Sequence, residues 1–413
     1  MRIVHVSPGY DPVVGGSEIH IQELSEGLAR RGHDVTVLTE VPTHPRRPIG
    51  QEVINSVRVV RFPKNQTVQR LLALPGAYRI LAAMLGRGYL RMLDRGPLSV
   101  RMFRKLLGCR ADIVGVIGWW ASVLPLKVCV AKRMGGFRVV GIPLFHTEEG
   151  WSHESVYPNL LAQCDAVLAN TTYEQRFIEA RASQPVPVHT VGVGIHPSRF
   201  LSRDGASLRI RYGLDDAPVV GYVGRIIPGK GVPGLIDAMK FVWRWNDRVR
   251  LVLAVSRALQ GTETGRVIEA ALGRLSPGER TRVVEIDGFE ERDKSSIFDA
   301  FDVFAMPSTG ESFGIAYLEA WACRKPVIGG RIGSTQCVIE EGKDGLLVDP
   351  HDAGEIATAI IRLLADPEER SRMGQAGYEK ILSRFTWDKI TERVEAIYRG
   401  LATSPTESPR PTA

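Results

Sequence analysis

This chain lacks most of the short signatures that name a chemistry outright. It has no D-x-D triplet and no His/Asp cluster of the kind that holds Mg²⁺ or Mn²⁺. Its glycine-rich loops do not end in Lys-Ser/Thr, so there is no Walker P-loop. The loop Pro8 to Gly16 lacks the G-x-G-x-x-G spacing of an NAD oxidoreductase, although Glu40 ends the second expected strand. Cysteine is scarce. Cys109, Cys129, Cys164, Cys323 and Cys337 form no C-x-x-C pair and mostly sit among apolar residues, which reads as a reduced, cytosolic core. The longest uncharged apolar run, Ile113 to Leu126, is too short to span a bilayer and contains Pro125. Met1 leads straight into a strand, so no signal peptide is expected and the sequons at Asn65 and Asn170 carry no weight. What is present is the composition of a globular protein, with 44% apolar and 24% charged residues. At 413 residues the chain exceeds one ordinary core, so two domains of roughly 200 residues each are expected.

Strand and helix patterns alternate along the first half. Arg2 to Ser7, Asp34 to Thr39, Val57 to Phe62, Ile113 to Ile117, Phe137 to Ile142, Ala166 to Ala169 and Val188 to Val193 read as strands, with a helix from about Ser17 to Arg31 closed by Gly32. Most are continuous Val/Ile runs, the mark of a parallel sheet covered on both faces. After a polar, Asp-rich break at Pro197 to Pro218 the pattern restarts. Val219 to Val223, Leu251 to Val255, Val283 to Ile286, Val303 to Met306, Pro326 to Gly329 and Gly345 to Val348 are the expected strands of the second half. The fold class is therefore α/β, with two Rossmann-like domains in tandem. We place the first at residues 1–197 and the second at 198–384. An amphipathic helix over 385–402, carrying Trp387, Ile390, Val394, Ile397 and Tyr398, returns to the first domain. The Pro/Ser/Thr-rich residues 403–413 read as a disordered tail.

The most telling stretch is Gly310-Glu311-Ser312-Phe313-Gly314-Ile315-Ala316-Tyr317-Leu318-Glu319. Ile315 to Cys323 reads as a buried helix with Glu319 on its body and Glu311 in the polar turn before it. A buried carboxylate must be answered by hydrogen bonds or a counter-charge. Two carboxylates flanking a helix N-terminus suit a ligand with hydroxyls and phosphates, the free amides facing the phosphates. A core helix with one structurally satisfied glutamate would give the same letters. The second half opens on Gly221-Tyr222-Val223-Gly224-Arg225 and continues to Gly229-Lys230-Gly231, two cations among four glycines. Such a loop can cradle an anion or be a solvated basic turn. Both elements end strands of one parallel sheet, where ligands bind, so they converge on one crevice.

The net charge of +7 is uneven. Between Lys64 and Arg110 ten Lys or Arg face one acid, Asp94, and are interleaved with Leu71, Tyr78, Met84, Tyr89, Met92 and Phe103. This is the pattern of basic amphipathic helices on an anionic membrane surface, or of an Arg-rich solvated face. No recognition motif for nucleic acid accompanies it, so no nucleic-acid partner is expected.

Taken together, Gly15-Gly16, Gly224-Arg225 through Lys230-Gly231, and Glu311-Ser312-Phe313-Gly314 to Glu319 resemble the retaining, metal-independent GT-B glycosyltransferases of family GT4. Gly32-His33-Asp34-Val35, Ala300-Phe301-Asp302-Val303 and Gly342-Lys343-Asp344-Gly345 support the resemblance, which reaches to about Leu401. It implies a hexosyltransferase that moves a hexose from a UDP- or GDP-linked sugar to a hydroxyl acceptor, with no metal and no cofactor. Arg225 and Lys230 would grip the donor diphosphate, and Lys230 would stabilise the leaving group. Glu311 would hold the hexose, with the amides of Phe313, Gly314 and Ile315 assisting, and Glu319 would hold the ribose. Gly224 belongs to the same donor loop, and Gly288 would meet the base. Gly15 and Gly16 would approach the donor phosphate from the first domain, and His146 would lie by the donor sugar. Glu18 and His20, on the first helix, face either the acceptor or solvent. Gly194-Ile195-His196 departs from the family's usual Gly-Val-Asp, which puts the linker's role in doubt. The basic segment favours a lipid-linked or membrane-surface glycan acceptor and a cytoplasmic enzyme peripheral to the membrane. A soluble acceptor and a GT-B sugar-nucleotide epimerase are the alternatives.

Overall fold

The computed structural model describes residues 1–12, 15–41, 49–63, 99–118, 124–147, 156–226, 229–255 and 263–403. The chain divides into two compact units, Met1–Gly194 with Trp387–Ala413, and Ile195–Thr386. The division falls a few residues from the polar break because Ile195 already bonds within the second unit. Its N–H donates to the Phe385 carbonyl at 2.8 Å, and it forms a parallel bridge with Thr386.

The first unit is built on eight strands, β1 (Arg2–Ser7), β2 (Asp34–Val41), β3 (Gly50–Ile54), β4 (Val57–Pro63), β5 (Ile113–Ile117), β6 (Arg138–Ile142), β7 (Ala166–Ala169) and β8 (Val188–Thr190). They run β3-β4-β2-β1-β5-β6-β7-β8, and all neighbours are parallel except β3 and β4. The continuous Val/Ile runs account for the parallel part: every residue of β5 is buried. The antiparallel hairpin is not in the sequence pattern. β3 is a polar, largely exposed edge strand, turned into β4 by Asn55 and Ser56, which both adopt positive φ. β8 is shorter than its Val-rich run because β7 offers it only three partners, Val167, Leu168 and Ala169.

The helix Trp387–Thr403 packs in this unit and buries Trp387, Ile390, Val394 and Tyr398, while Ile397 stays half-exposed. Its Glu395 accepts from Arg31, from His33 Nε2 at 2.9 Å and from Arg399 at 2.6 Å. Tyr398 OH lies 3.2 Å from His5 Nε2 in the middle of β1.

The second unit holds β9 (Val219–Val223), β10 (Arg250–Val255), β11 (Val283–Asp287), β12 (Val303–Met306), β13 (Val327–Gly330) and β14 (Gly345–Val348). They form an all-parallel sheet in the order β11-β10-β9-β12-β13-β14. The order reverses at β9, between β10 and β12, which is the switch point where such sheets open a crevice. Among the described residues no helix is long and apolar enough to cross a membrane. The basic stretch 64–98 lies outside the described residues. Its continuation is the amphipathic helix Val100–Leu107, with Met102 and Leu106 buried and Arg101, Arg104 and Lys105 not.

Candidate functional site

Two loops at the carboxyl ends of β9 and β12 form the centre of the second unit's site. The Gly229 carbonyl accepts from Thr309 N–H at 2.8 Å and from Gly310 N–H at 3.2 Å. Gly231 has φ +75°, and a Cβ on it would meet the Pro307 carbonyl oxygen at 2.0 Å, so only glycine lets the loops approach this closely. Across the seam Lys230 Nζ donates to Glu311 Oε1 at 2.6 Å, and Ser308 Oγ donates to the same oxygen at 3.2 Å. Glu311 is only 5% exposed, and the ammonium supplies the counter-charge that such depth requires. Its Oε2 makes no hydrogen bond among the described residues.

The helix Ile315–Ala322 starts directly behind this pair. Gly314 enters it at φ +89°, and a Cβ there would lie 2.4 Å from the Tyr317 ring. Phe313 anchors the turn edge-on against Phe385, with centroids 5.5 Å apart. The N–H groups of Phe313, Gly314, Ile315 and Ala316 donate to no other described residue. They are the open donors of a helix start, beside a lysine.

Glu319 sits on the body of that helix, 8% exposed, and does not share Lys230. It has its own cation, Lys294, whose Nζ lies 2.7 Å from Glu319 Oε1 and 2.8 Å from Glu291 Oε1. Burial pushes the Glu319 carboxyl above its usual range and Lys294 pulls it back. For Lys294, burial acts to lower the pKa, but the two carboxylates outweigh it and leave the amine above its usual value. Lys294 was not legible as a site residue. It sits in Glu290-Glu291-Arg292-Asp293-Lys294, which reads as a solvated charged turn.

Arg225 is exposed just past β9, and its carbonyl accepts from Tyr222 OH at 2.8 Å. Its guanidinium makes no hydrogen bond or ion pair among the described residues. The Gly224 N–H binds the Ala254 carbonyl at 3.1 Å and the Gly288 N–H the Val255 carbonyl at 2.9 Å, tying both turns to β10. A cavity of about 620 Å³ opens at these strand ends, lined in part by Ile226, Val255, Ile268, Ile286 and Asp287. Neither Lys230 nor Glu311 lines it, so the polar pair and the cavity are separate features of one sheet edge.

In the first unit, Gly15 precedes the helix Gly16–Arg30, and its carbonyl accepts from Ile19 N–H at 2.9 Å. Gly16 is exposed. Glu18 curls back toward Gly15 and takes a hydrogen bond from Ser17 Oγ at 2.8 Å. His20 does not face solvent. It is 3% exposed and edge-on to Trp387 at 5.3 Å, and burial holds its imidazole down to about 4. It is a core residue that the helix pattern alone could not place.

His146 is half-buried, four residues beyond the end of β6. The preceding N–H, that of Phe145, donates to Glu174 Oε1 at 2.7 Å, and Asn170 N–H donates to Oε2 at 2.7 Å. Glu174 is 1% exposed; burial raises its carboxyl to about 7, against the pull of those two N–H groups. It thus clamps the His146 loop to the end of β7. The signal was present as Thr171-x-x-Glu174, a capping-box spacing, with Thr171 Oγ1 accepting from Glu174 N–H at 3.0 Å. The carboxylate reaches past its own cap. Glu148 and Glu149 lie outside the described residues.

Two family models match the chain, a glycosyl transferase 4-like domain over residues 15–194 and glycosyl transferases group 1 over residues 207–380. A D-inositol 3-phosphate glycosyltransferase from Saccharomonospora viridis is 28% identical over 96% of this chain and 92% of its own. One of the same name from Segniliparus rotundus is 28% identical over 96% and 87%. Among solved structures, sucrose-phosphate synthase from Thermosynechococcus elongatus superposes with a TM-score of 0.73 at 22% identity, covering 97% of this chain and 98% of that one. Anabaena HepE, solved with UDP and glucose, does so at 0.75 and 18%, covering 97% and 100%. With both sheets, their order and these matches in hand, the chain belongs to the GT4 glycosyltransferases of GT-B fold and is a transferase enzyme.

Proposed function

We propose that the enzyme moves a hexose, with retention, from a UDP- or GDP-linked sugar to a hydroxyl acceptor, without a metal ion. The observation that carries this reading is the Lys230–Glu311 pair, whose glutamate stands in the turn that leads into the open amides of Phe313, Gly314 and Ile315. Lys230 and Arg225 take the diphosphate, and the amides meet the charge that grows on it as the glycosidic bond breaks. Glu311, through its open Oε2, accepts from hexose hydroxyls. Glu319 accepts from the ribose, and the base lies toward Gly288 and the cavity beside it. The bond from the anomeric carbon to the phosphate oxygen breaks, and the bond to the acceptor oxygen forms on the same face. The acceptor proton passes to the departing phosphate oxygen, so no protein base is required.

For the acceptor, the names of the similar proteins favour a small polyol phosphate, whose anionic group suits a basic first domain. A second reading, a glycan at an anionic membrane surface, rests on the ten cations of Lys64 to Arg110. One experiment tests the donor, the need for an acceptor and the metal-free chemistry, and the anomeric configuration of its product tests retention. UDP-, GDP- and ADP-hexoses are scored for nucleotide release in EDTA, alone, with inositol phosphate, or with anionic vesicles. Release that needs an acceptor and survives EDTA is expected. Release without acceptor favours an epimerase, and release abolished by EDTA refutes the metal-free chemistry.

A further inference from the structure

Lys294 is a half-buried cation that the transfer chemistry leaves without a task. It is set at the start of the short helix Lys294–Asp299, and the rest of that element carries the apolar side chains Ile297 and Phe298 into the core. A lysine in such a place must be compensated, and it is: two of its three N–H bonds can serve Glu319 Oε1 at 2.7 Å and Glu291 Oε1 at 2.8 Å. The arrangement is lopsided. Lys294 and Glu319 have side chains 15% and 10% exposed, whereas Glu291 is 57% exposed. The inner bond is therefore the one sheltered from water and salt. It uses one oxygen of Glu319 only. Oε2 makes no hydrogen bond among the described residues.

We infer that Lys294 is a positioning and specificity residue for the donor ribose, holding Glu319 so that the pair presents one open acceptor and one spare donor to a vicinal diol. One ribose hydroxyl donates to Glu319 Oε2, and the neighbouring hydroxyl oxygen accepts the third N–H of Lys294. A carboxylate alone would offer two acceptors and could turn between them. The lysine fixes its rotamer and makes the site read a diol in one sense. This rests on the assignment of Glu319 to the ribose in the proposed function. The groups facing Glu319 are Lys294, at the start of the neighbouring helix, and Glu291 in the turn before it; burial and Glu291 raise the carboxyl's pKa, and Lys294 acts against them to lower it.

The test is calorimetric titration of UDP and GDP, and of their 2′-deoxy forms, into wild type, Lys294→Met, Lys294→Arg and Glu319→Gln, at pH 8 and pH 6. Methionine fills the lysine's apolar path without its charge. Lys294→Met is expected to weaken the ribonucleotide about tenfold or more, the loss of a charge-assisted hydrogen bond. It should weaken the 2′-deoxy form much less, so that the preference between the two collapses. Without the lysine, Glu319 protonates more readily, and affinity should fall further from pH 8 to pH 6 than in wild type. Lys294→Arg should restore part of the preference. If Lys294→Met melts earlier but keeps both affinity and preference, the ion pair is structural and the inference falls alone. If Glu319→Gln also leaves affinity unchanged, the ribose assignment falls and takes the inference with it.

Discussion

Glu311, Glu319 and Glu174 are three buried carboxylates, and each has its charge answered differently. Glu311 has an ammonium and a hydroxyl, Glu319 an ammonium, and Glu174 two backbone N–H groups. The first two could be singled out in the sequence because they flank a Phe-Gly turn on an otherwise uncharged helix. Their cations could not be matched to them there: Lys230 is 81 residues from Glu311, and Lys294 is 25 from Glu319. For Glu174 the letters Thr171-x-x-Glu174 show a helix cap but not the partners of its carboxylate, which are the main-chain N–H groups of Phe145 and Asn170. Substituting Glu174 with Gln keeps its shape but turns one acceptor into a donor facing an N–H. The expected cost is roughly 1–3 kcal/mol of stability, the price of a buried group left unpaired. Because the two N–H groups the side chain holds are those of Phe145, beside His146, and Asn170, turnover should fall together with the melting temperature. A thermal melt and an initial rate on the same preparation check this; a variant equal to wild type in both would remove Glu174 from the account.

At the level of elements, the site is two loops brought into backbone contact, and the glycine at position 231 decides whether they meet. Gly231→Ala sets a Cβ against the Pro307 carbonyl at 2.0 Å and forces φ +75° on an alanine. Neither strain has a flexible side chain to absorb it. The loops should part, lengthening the Lys230–Glu311 contact, and donor affinity should drop about tenfold or more for a lost charge-assisted bond. Titration of the donor nucleotide against wild type reads this; unchanged affinity would mean the seam has slack. Strand runs such as Val219 to Val223 were legible because a parallel strand buried on both faces is apolar throughout. The hairpin of β3 and β4 was not, since Gly50 to Ile54 is a polar edge whose pairing depends on a turn through Asn55 and Ser56. Boundaries were legible to a few residues only: the polar break marks the linker, but the bonding of Ile195 to Phe385 and Thr386 marks the division.

Across the whole molecule, the first unit is completed by the far end of the chain. Burial pushes the Glu395 carboxyl up, but hydrogen bonds from Arg31, Arg399 and His33 outweigh it and bring the carboxyl from 4.5 down to about 2. A carboxylate depressed in the folded state stabilises it fully above the unfolded value and loses that contribution as pH falls toward the folded one. Between pH 4.5 and about 2 the wild type should therefore lose melting temperature faster than Glu395→Gln, which has no such proton to take up. Parallel acid melting curves would contradict this. The amphipathic pattern of Trp387 to Tyr398 made that helix legible, while its docking site was carried by Gly27, Arg31 and His33, residues that look like ordinary helix-end letters. The central claim is that transfer depends on the carboxylate beside Lys230, and Glu311→Gln with the matched donor and acceptor tests it most directly. With its circular dichroism unchanged, this variant should turn over roughly a hundredfold or more slowly, as when one polar group aimed at the reacting centre is lost. Near-normal turnover by Glu311→Gln would contradict the account.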